Sequence, residues 1–471
     1  MSAHRLAPLA LAALLAGCAS LAPEYERPAA PVAAQFPGAG EADTVPGAPA
    51  AAERPWTEFF RDARTRALIE LALRNNRDLR VAVLNIEAAR AQAQARNADL
   101  WPSVNAGITG SRQPSSSGGT NSLYTAGVQL TAYEIDLFGR VRSLNAAAAA
   151  QFFASEEARK AAQISLVAAV ANAQLALQAD EELLRLAGAT VASREDSLRL
   201  VRLRFEQGAS AELELRQAES LLQAARAAQA QLARQRALDE NALVLLIGQP
   251  LPIELPAAAG TLEALDSLPG LPAGLPSEVL VRRPDVRQAE QQLIAANANI
   301  GAARAAFFPK LTLTASAGVA SGELADLFKG GHFAWGFAPQ LLAPIFDAGR
   351  NRANLKAAEV NRDIAIAQYE KAIQSAFREV ADALAGRATL LEQLAAQGAQ
   401  AEAERRRSAL AELRWRNGAA SHLELFDAQR SLFSAQQAEV QGRAQLAQNG
   451  VTLYRVLGGG WSVEPGEGAR R

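Results

Sequence analysis

Two long segments without proline constrain this chain more than any other feature of its sequence. Residues 139–208 and 349–418 each run between two glycines and are rich in Ala, Leu, Gln, Glu and Arg. A helix of about 70 residues rises 1.5 Å per residue and makes a rod of roughly 100 Å, several times the usual length. Rods of that length exceed a globular domain and indicate a structure that spans a distance.

An apolar repeat near the end of the first segment predicts a partner helix. Four apolar residues recur at intervals of seven, the spacing of a coiled-coil seam. They are Leu184, Val191, Leu198 and Phe205. Gly208 suits the left-handed residue that ends a helix, and helical character resumes from Ser210 to about Ile247. We therefore predict an antiparallel helical hairpin over residues 139–247 and a second one over residues 349–457.

The N-terminus has the pattern of an export signal. His4 and Arg5 precede an apolar run that ends in Leu15-Ala16-Gly17-Cys18, so residues 1–17 are predicted to be a signal peptide that ends in a lipobox. Cys18 is the one cysteine of the chain, which excludes an internal disulfide and makes it the candidate for a covalent lipid such as diacylglycerol with palmitate. An ordinary signal peptide that happens to contain a cysteine is the alternative. Residues 18–60, rich in Pro, Ala and Gly, are predicted to be an extended tether behind that anchor.

Two pairs of alternating segments predict strand hairpins, at about residues 103–132 and 310–342. In each, apolar residues alternate with Ser, Thr, Gly or Asn, and each strand has the length of a tilted transmembrane β-strand. After residue 17 we find no run of 18 consecutive apolar residues, so a membrane crossing is expected to use these strands. Because four strands are too few to close a barrel, several chains must each contribute four. A soluble four-stranded sheet packed on helices is the alternative.

The second half of the chain repeats the first at a separation of 207 to 210 residues. Pro102 and Pro309 correspond, as do Gly139-Arg140 and Gly349-Arg350. A tandem duplication is the simplest explanation. It predicts a first repeat over residues 61–255, a linker over 256–275, a second repeat over 276–460 and a tail over 461–471.

Composition and motifs argue against several classes of function. The chain has 471 residues, a formal charge of -1 and interspersed acidic and basic residues, which gives no indication of nucleic-acid binding. We find no Gly-rich phosphate loop, no Gly-x-Ser-x-Gly motif and no His pair at metal-ligand spacing. An enzyme is therefore the weakest hypothesis, and we expect no metal and no cofactor other than the lipid on Cys18.

Several short motifs together resemble the TolC-like outer-membrane efflux factor family, in its lipoprotein (NodT-like) branch that serves resistance-nodulation-division pumps. They include the lipobox, Tyr25-Glu26-Arg27-Pro28, the segment from Tyr133 to Arg140, Arg283-Pro284-Asp285, the run Ala305 to Pro309, and the segment from Leu425 to Arg430. The resemblance covers nearly the whole mature chain.

This resemblance implies a mainly α fold with membrane β: four transmembrane strands and two long helical hairpins per chain. Three chains would form a homotrimer with a 12-stranded β-barrel on an α-helical barrel. It also implies a passive efflux duct in the bacterial outer membrane, lipid-anchored and extending into the periplasm. The expected partners are a periplasmic adaptor and an inner-membrane pump. A duct for protein secretion and a poreless periplasmic coiled-coil lipoprotein adaptor are the alternatives.

The same resemblance implies a gate. Leu423, Asp427 and Arg430 have the spacing of one helical stripe, and the Leu and Asp of the matching family motif narrow the tunnel. In the first repeat the matching positions hold Leu213, Gln217 and Ser220, so the charged pair occurs in one copy alone. An ordinary solvated Asp–Arg pair is the alternative.

The two hairpin turns resemble sites where adaptor hairpins dock. The candidate adaptor contacts are Gly208, Ala209, Ser210, Gly418, Ala419 and Ala420. Simple helix stops are the alternative, and Ser421 with Glu424 has the spacing of a capping box.

Overall fold

The computed structural model of the chain describes residues 20–33, 36–37, 54–116, 118–256 and 277–461. The predicted signal peptide, Cys18, residues 34–35 and 38–53 of the predicted tether, nearly all of the predicted linker, and the tail from residue 462 lie outside the described residues. The described part is mostly helical, as predicted.

Seven helices of at least three turns account for most of the described residues. They are α1 (Ala63–Asn75), α2 (Arg77–Ala98), α3 (Arg140–Glu206), α4 (Glu212–Ile247), α5 (Pro284–Ala305), α6 (Arg350–Arg416) and α7 (His422–Val456). Helices α3 and α6 each have 67 residues. Each lies between the two glycines that bound its proline-free segment, because no residue between them interrupts the helical hydrogen bonds. Asp62 caps α1, since its carboxylate accepts from the Thr65 amide at 2.7 Å.

Four strands form one antiparallel sheet in the order β1-β2-β3-β4. They are β1 (Val104–Pro114), β2 (Thr120–Ile135), β3 (Lys310–Ser321) and β4 (Phe333–Leu342). The central pair, β2 with β3, joins the two halves of the sequence, with Ala126 opposite Val319. Within the described residues β1 and β4 each pair on one side, so both outer edges of the sheet are open.

The alternation predicted for the strands separates an apolar face from a polar one. Large apolar side chains on one face are exposed, with Ile108 at 68% and Trp335 at 73% of full exposure. Side chains such as Thr109 and Thr125 lie on the other face, where their hydroxyl groups are 2.7 Å apart. An isolated sheet in water would not expose so many large apolar side chains.

The chain divides into two compact units, and each unit takes segments from both halves of the sequence. Unit 1 contains residues 1–30, 84–157 and 287–372, which include all four strands. Unit 2 contains residues 31–83, 158–286 and 373–471, which include both hairpin turns. The two sequence repeats are therefore interleaved in the fold, and a single repeat does not form a compact unit.

A seam of small residues holds the helices of unit 1 together. Ala147 and Ala150 of α3 pack against Ala295 and Ala298 of α5, with Ile294 beside them. All four alanines are less than 9% exposed. Alanine at each of these positions allows the two helix backbones to approach closely.

The N-terminal segment of unit 1 lies along α5 in the opposite direction. The Arg27 guanidinium donates to both carboxylate oxygens of Glu290, at 2.7 and 3.1 Å. Further along, Asn297 donates to the carbonyl of Pro23 at 2.8 Å, and Arg304 donates to that of Leu21 at 3.3 Å. We call residues 21–27 the strap.

Unit 2 contains an aromatic core and a buried ion-pair network. Tyr454 stacks on Phe59 with ring centroids 3.8 Å apart. The buried Arg283 donates to Asp285 at 2.7 Å, to Glu379 at 3.0 Å and to the carbonyl of Val456 at 2.7 Å. Three acceptors around one guanidinium satisfy most of its donors, which is what a buried charge requires.

One helix in the described residues, Arg140–Glu206, passes a test of length and composition for crossing a membrane, and 56% of its apolar window is buried inside the molecule. A core helix of a soluble protein passes the same test, so this finding does not indicate a transmembrane helix.

Two glycines bring the central strands unusually close. A Cβ atom on Gly127 or on Gly318 would lie nearer than 3.0 Å to the backbone of the facing strand. Glycines at such points allow a sheet to bend sharply. Gly107, on β1, has nothing within 4 Å of the same position.

We expect Gly318→Ala to lower the stability of the sheet by about 1–3 kcal/mol, because the added methyl group overlaps backbone that has no room to move. Thermal unfolding of the detergent-solubilised protein, followed by circular dichroism, measures this change. Gly107→Ala is the matched control and should unfold like the wild type. Equal stability of the two variants would contradict the assignment.

Candidate gate at the tips of the helical hairpins

The two hairpin turns have the same backbone geometry. Gly208 and Gly418 have φ of +69° and +73°, in the left-handed region that favours glycine. Just after each glycine, the amide of Ala209 donates to the carbonyl of Arg204, and that of Ala419 to the carbonyl of Arg414, both at 2.8 Å. These bonds satisfy carbonyls that the helix end leaves free. The duplication therefore extends to the details of the turn.

The starts of the returning helices differ between the two hairpins. Ser421 caps α7, since its hydroxyl accepts from the Glu424 amide at 3.3 Å. The Glu424 carboxylate lies 3.5 Å from Arg414. In the first hairpin the Ser210 hydroxyl bonds the Glu214 carboxylate. In the second hairpin the structure thus contains one of the two capping-box bonds, the one from the Glu424 amide to the Ser421 hydroxyl.

Each hairpin has a small apolar core behind its turn, and the two cores are duplicates. The first contains Val201, Leu215 and Ala218. The second contains Ala411, Leu425 and Ala428, which are the matching residues 210 positions later. Phe426 of α7 also packs into the first core. An apolar contact therefore joins the second hairpin to the first.

The predicted coiled-coil seam on α3 is not the most buried stripe of that helix. Leu184, Val191 and Leu198 are half-buried, and Phe205 is 38% exposed. The buried residues Ala187, Arg194 and Val201 follow the same spacing of seven, three positions further along. Arginine occupies one of these positions, so counting apolar residues in the sequence did not reveal the stripe.

Asp427 is held between two arginines. Arg407 of α6 donates to one carboxylate oxygen at 2.6 Å, and Arg430 of α7 donates to the other at 2.5 Å. These bonds, that of Arg407 foremost, lower the pKa of Asp427 below its ordinary value. Leu423, one turn earlier on the same helix, is 63% exposed. The structure thus places the three predicted gate residues on one stripe and adds Arg407 to them.

The charged network occurs in the second hairpin alone. Arg407 also contacts Glu404 at 3.2 Å. The positions that match Arg407, Asp427 and Arg430 in the first hairpin hold Ser197, Gln217 and Ser220. Arg407 lies 11 residues before Gly418, and Asp427 lies 9 residues after it. Residues at similar distances before and after the turn face each other across an antiparallel hairpin. Pairing such residues in the sequence would have identified Arg407 as a partner of Asp427.

A buried arginine lies next to this network. Arg194 of α3 is 5% exposed and donates to the amide oxygen of Gln429 at 2.5 Å. Burial lowers the pKa of its guanidinium, and the nearby Arg430 adds to that effect. Nothing in the sequence pattern indicated that this arginine would be buried.

His422, at the start of α7, is also buried. It is 5% exposed, and its ring lies 4.5 Å from the ring of Trp415 and 5.4 Å from that of Phe426. Its Nδ1 is 3.5 Å from the Glu214 carboxylate of the first hairpin. Burial lowers the pKa of His422, although Glu214 acts in the opposite direction.

The other candidate residues lie at the surface of the turns. Gly208, Ala209, Gly418 and Ala419 are exposed, whereas Ser210 and Ala420 are half-buried. Among the described residues we find no group of three or more His, Cys, Asp or Glu side chains placed to hold a metal ion. The described contacts at the tips are ion pairs, hydrogen bonds and apolar packing.

Comparison with known proteins identifies the class of protein to which this fold and these tips belong. The family model of outer membrane efflux proteins matches residues 68–249 and 275–459. The chain belongs to this family, and its two matched segments reflect the internal duplication. The predicted family, outer-membrane location and role as an efflux channel are thereby confirmed.

Individual relatives resemble the chain over nearly its whole length. The probable efflux pump outer membrane protein TtgC of Pseudomonas putida is 46% identical over 98% of this chain and 97% of its own. The outer membrane protein OprJ of Pseudomonas aeruginosa is 46% identical over 96% of this chain and 95% of its own. The solved structure of the MtrE outer membrane channel of Neisseria gonorrhoeae, in its open state, is 41% identical. It covers 94% of this chain and 99% of its own, with a TM-score of 0.85.

We expect Arg407→Gln to loosen the start of α7, because Arg407 ties Asp427 to the preceding helix. Hydrogen–deuterium exchange over residues 422–430 should become several-fold faster. Arg406→Gln is the control, since Arg406 pairs at 2.9 Å with Glu402 on its own helix. Equal exchange in the two variants would show that the Arg407–Asp427 contact does not hold the hairpin.

Proposed function

We propose that three copies of this chain assemble into a homotrimeric duct, with a 12-stranded barrel in the outer membrane and a helical tunnel that reaches into the periplasm. The duct is the passive exit for small molecules that an inner-membrane pump expels through a periplasmic adaptor. The proposal rests on one observation. Several contacts between the two repeats are buried within a chain, whereas the residues at the matching positions of the other repeat are exposed.

The helix seam of unit 1 gives the clearest example. Counting 207 residues back from Ala295 and Ala298 leads to Ala88 and Ala91 of α2. Counting 210 residues on from Ala147 and Ala150 leads to Ala357 and Val360 of α6. All four of these matching residues are exposed. A neighbouring copy that repeats the internal contact would bury α2 of one chain against α6 of the next.

An aromatic contact follows the same rule. Phe138 stacks on Phe308 with ring centroids 4.6 Å apart. Trp101 matches Phe308 in the first repeat and is 72% exposed. Counting 210 residues on from the segment just before Phe138 leads to Ile345 and Phe346. These two side chains are 99% and 89% exposed. These side chains supply the apolar surface for the next copy.

The open edges of the sheet supply the third example. The β2–β3 pair within a chain corresponds to β4 of one copy and β1 of the next. Unpaired backbone edges are costly in lipid, so a membrane sheet must close on itself. Three chains with four strands each give twelve strands, well above the smallest barrels of about eight.

The strap supports lipid anchoring at Cys18. It lies along α5 so that Leu21, three residues after Cys18, is beside Arg304 at the end of that helix. Helix α5 ends at Ala305, and strand β3 begins shortly afterwards at Lys310. A lipid on Cys18 would therefore lie close to the ends of the strands, where the membrane surface is expected.

The tip network supports a gate, and the exposed turns support adaptor docking. In a trimer Leu423 and Asp427 would form two rings around the axis, with Asp427 fixed by Arg407 and Arg430. The turns at Gly208, Ala209, Ser210, Gly418, Ala419 and Ala420 offer matching surfaces in both hairpins. Relatives such as TtgC are named as components of efflux pumps, which supports the same partners for this chain.

The arrangement of the chains is tested by cross-linking. A variant with Ala88→Cys and Ala357→Cys, treated with a short bifunctional thiol reagent, should give covalent dimers and trimers on denaturing gels. The reason is that α2 of one copy would face α6 of the next.

The matched control is Ala147→Cys with Ala295→Cys, which lie in the buried seam of one chain. The two cysteines of this control should be linked within one chain, so no covalent oligomers should form on denaturing gels. Both variants retain Cys18, so that residue contributes equally. Monomers alone from the first pair would overturn the proposed trimer contact.

The gate is tested by electrical conductance in a planar bilayer. Asp427→Ala combined with Arg430→Ala removes the charged ring and one of its fixing partners, so the closed channel should leak. The control is Gln217→Ala with Ser220→Ala, the matching positions of the first hairpin, which should conduct like the wild type. Unchanged conductance in the first variant would remove the gate assignment.

A further inference from the structure

His422 differs in kind from its counterpart in the first repeat. The matching residue is Glu212, which is exposed and pairs with Arg216 at 3.1 Å on its own helix. His422 is buried between the two hairpins. It is one of three histidines in the chain, and the others are His4 and His332. The second hairpin therefore carries a buried titratable side chain at its contact with the first hairpin, where the first repeat has an exposed carboxylate.

Four helices meet around this imidazole. Arg204 of α3 and Glu214 of α4 are the charged groups that act on it from the first hairpin. From the second hairpin, Trp415 of α6 and Phe426 of α7 contact it with their rings. Glu424 of α7 is engaged by Arg414. A positive charge on His422 would have one favourable neighbour, Glu214, which the Ser210 hydroxyl already bonds.

We propose that His422 is a proton sensor of the gate: protonation of its imidazole loosens the packing of α7 against the first hairpin and favours the open channel at acidic pH. This inference rests on the proposed function, since it assigns regulation to the same tip. Leu423 directly follows His422, and Asp427 lies little more than one turn further, so a shift of this first turn moves the constriction.

The direction of the effect follows from linkage. Burial lowers the pKa of His422 in the packed tip, whereas a solvated histidine has a pKa of about 6.5. As the pH falls through that range, the separated form of the tip binds protons before the packed form does. Acidification therefore shifts the equilibrium toward separation, and the packed tip is favoured above that range.

The carboxylates of Asp427 and Asp180 also have shifted pKa values and must be distinguished from His422. The pKa of Asp427 is lowered by Arg407, so this residue remains ionised wherever histidine titrates. Burial, together with Asp239, raises the pKa of Asp180 to about 7. Arg236 lowers that pKa and Glu181 raises it. Because Asp180 is 26 residues before the end of α3, it lies roughly 40 Å along the helix from the tip.

The test is the conductance of the reconstituted full-length protein between about pH 7.5 and about pH 5.5, the range in which histidine changes charge. We expect a several-fold rise for the wild type on acidification and no such rise for His422→Gln, which has no titratable group. His332→Gln is the matched control and should retain the wild-type rise. Asp180→Asn should retain it as well, since its carboxyl group is remote from the tip.

Glu214→Gln gives a second and independent variant. In the packed tip this carboxylate favours the protonated imidazole and partly offsets the effect of burial, so removing it lowers the pKa of His422 in that form further. The difference from the separated form then grows, so the rise in conductance on acidification should be larger and should begin at no lower a pH than in the wild type. A smaller rise, or one that begins at lower pH, would contradict the proposal. This variant also keeps the test decisive where His422→Gln does not fold.

A spectroscopic measurement reports on His422 without using the channel. The imidazolium form quenches indole fluorescence on contact, so the emission of Trp415, taken as the difference between wild type and Trp415→Phe, should fall on acidification. That change should disappear in His422→Gln.

The outcomes separate this proposal from the proposed function. Leakage in the Asp427 and Arg430 variant, with the same pH profile in wild type and His422→Gln, would overturn the sensor and leave the gate intact. If no variant conducted at any pH, the proposed function as a duct would be overturned. In that case the Trp415 titration would still decide whether His422 takes up a proton, and an unchanged emission would overturn the sensor.

Discussion

A single chain buries several contacts between its repeats and exposes the residues at the duplicate positions. The alanine seam between α3 and α5 is buried, whereas its counterpart on α2 and α6 is open to solvent. The same holds for the aromatic pair at the strand ends and for the hydrogen-bonding edges of the sheet. Copies of the chain can satisfy the exposed contacts with the geometry that the buried ones already have. In the proposed trimer, duplication would thus supply both the structure of each chain and the surface by which one chain recognises the next.

The residues of the proposed gate are found where the two repeats differ. Ser197, Gln217 and Ser220 of the first hairpin correspond to Arg407, Asp427 and Arg430 of the second. Phe426, which packs into the core of the first hairpin, corresponds to the exposed Arg216. Phe426 thus makes an apolar contact between the hairpins, whereas its counterpart is an exposed charge. In the proposed trimer a neighbouring chain would meet that charged surface, and charged surfaces separate at lower cost than apolar ones.

Much of the fold could be predicted from the sequence because its signals are local. Absence of proline between glycines predicted the long helices, and strict alternation predicted the strands. The spacing of Leu423, Asp427 and Arg430 placed them on one helical stripe. Burial was harder to predict, because it depends on which helices meet. Arg194 and His422 are polar residues in buried positions, and the predicted seam at Leu184 and Val191 is only half-buried. Arg407 was missed because its partner lies across a hairpin turn rather than on its own helix.

The close approach of Gly127 and Gly318 has a consequence for how a wall of several chains can be built. These residues face each other on the two central strands of one chain, so the close approach of those strands is encoded within each molecule. In the proposed trimer the same close pair would recur once per chain, at every fourth strand interface of the barrel.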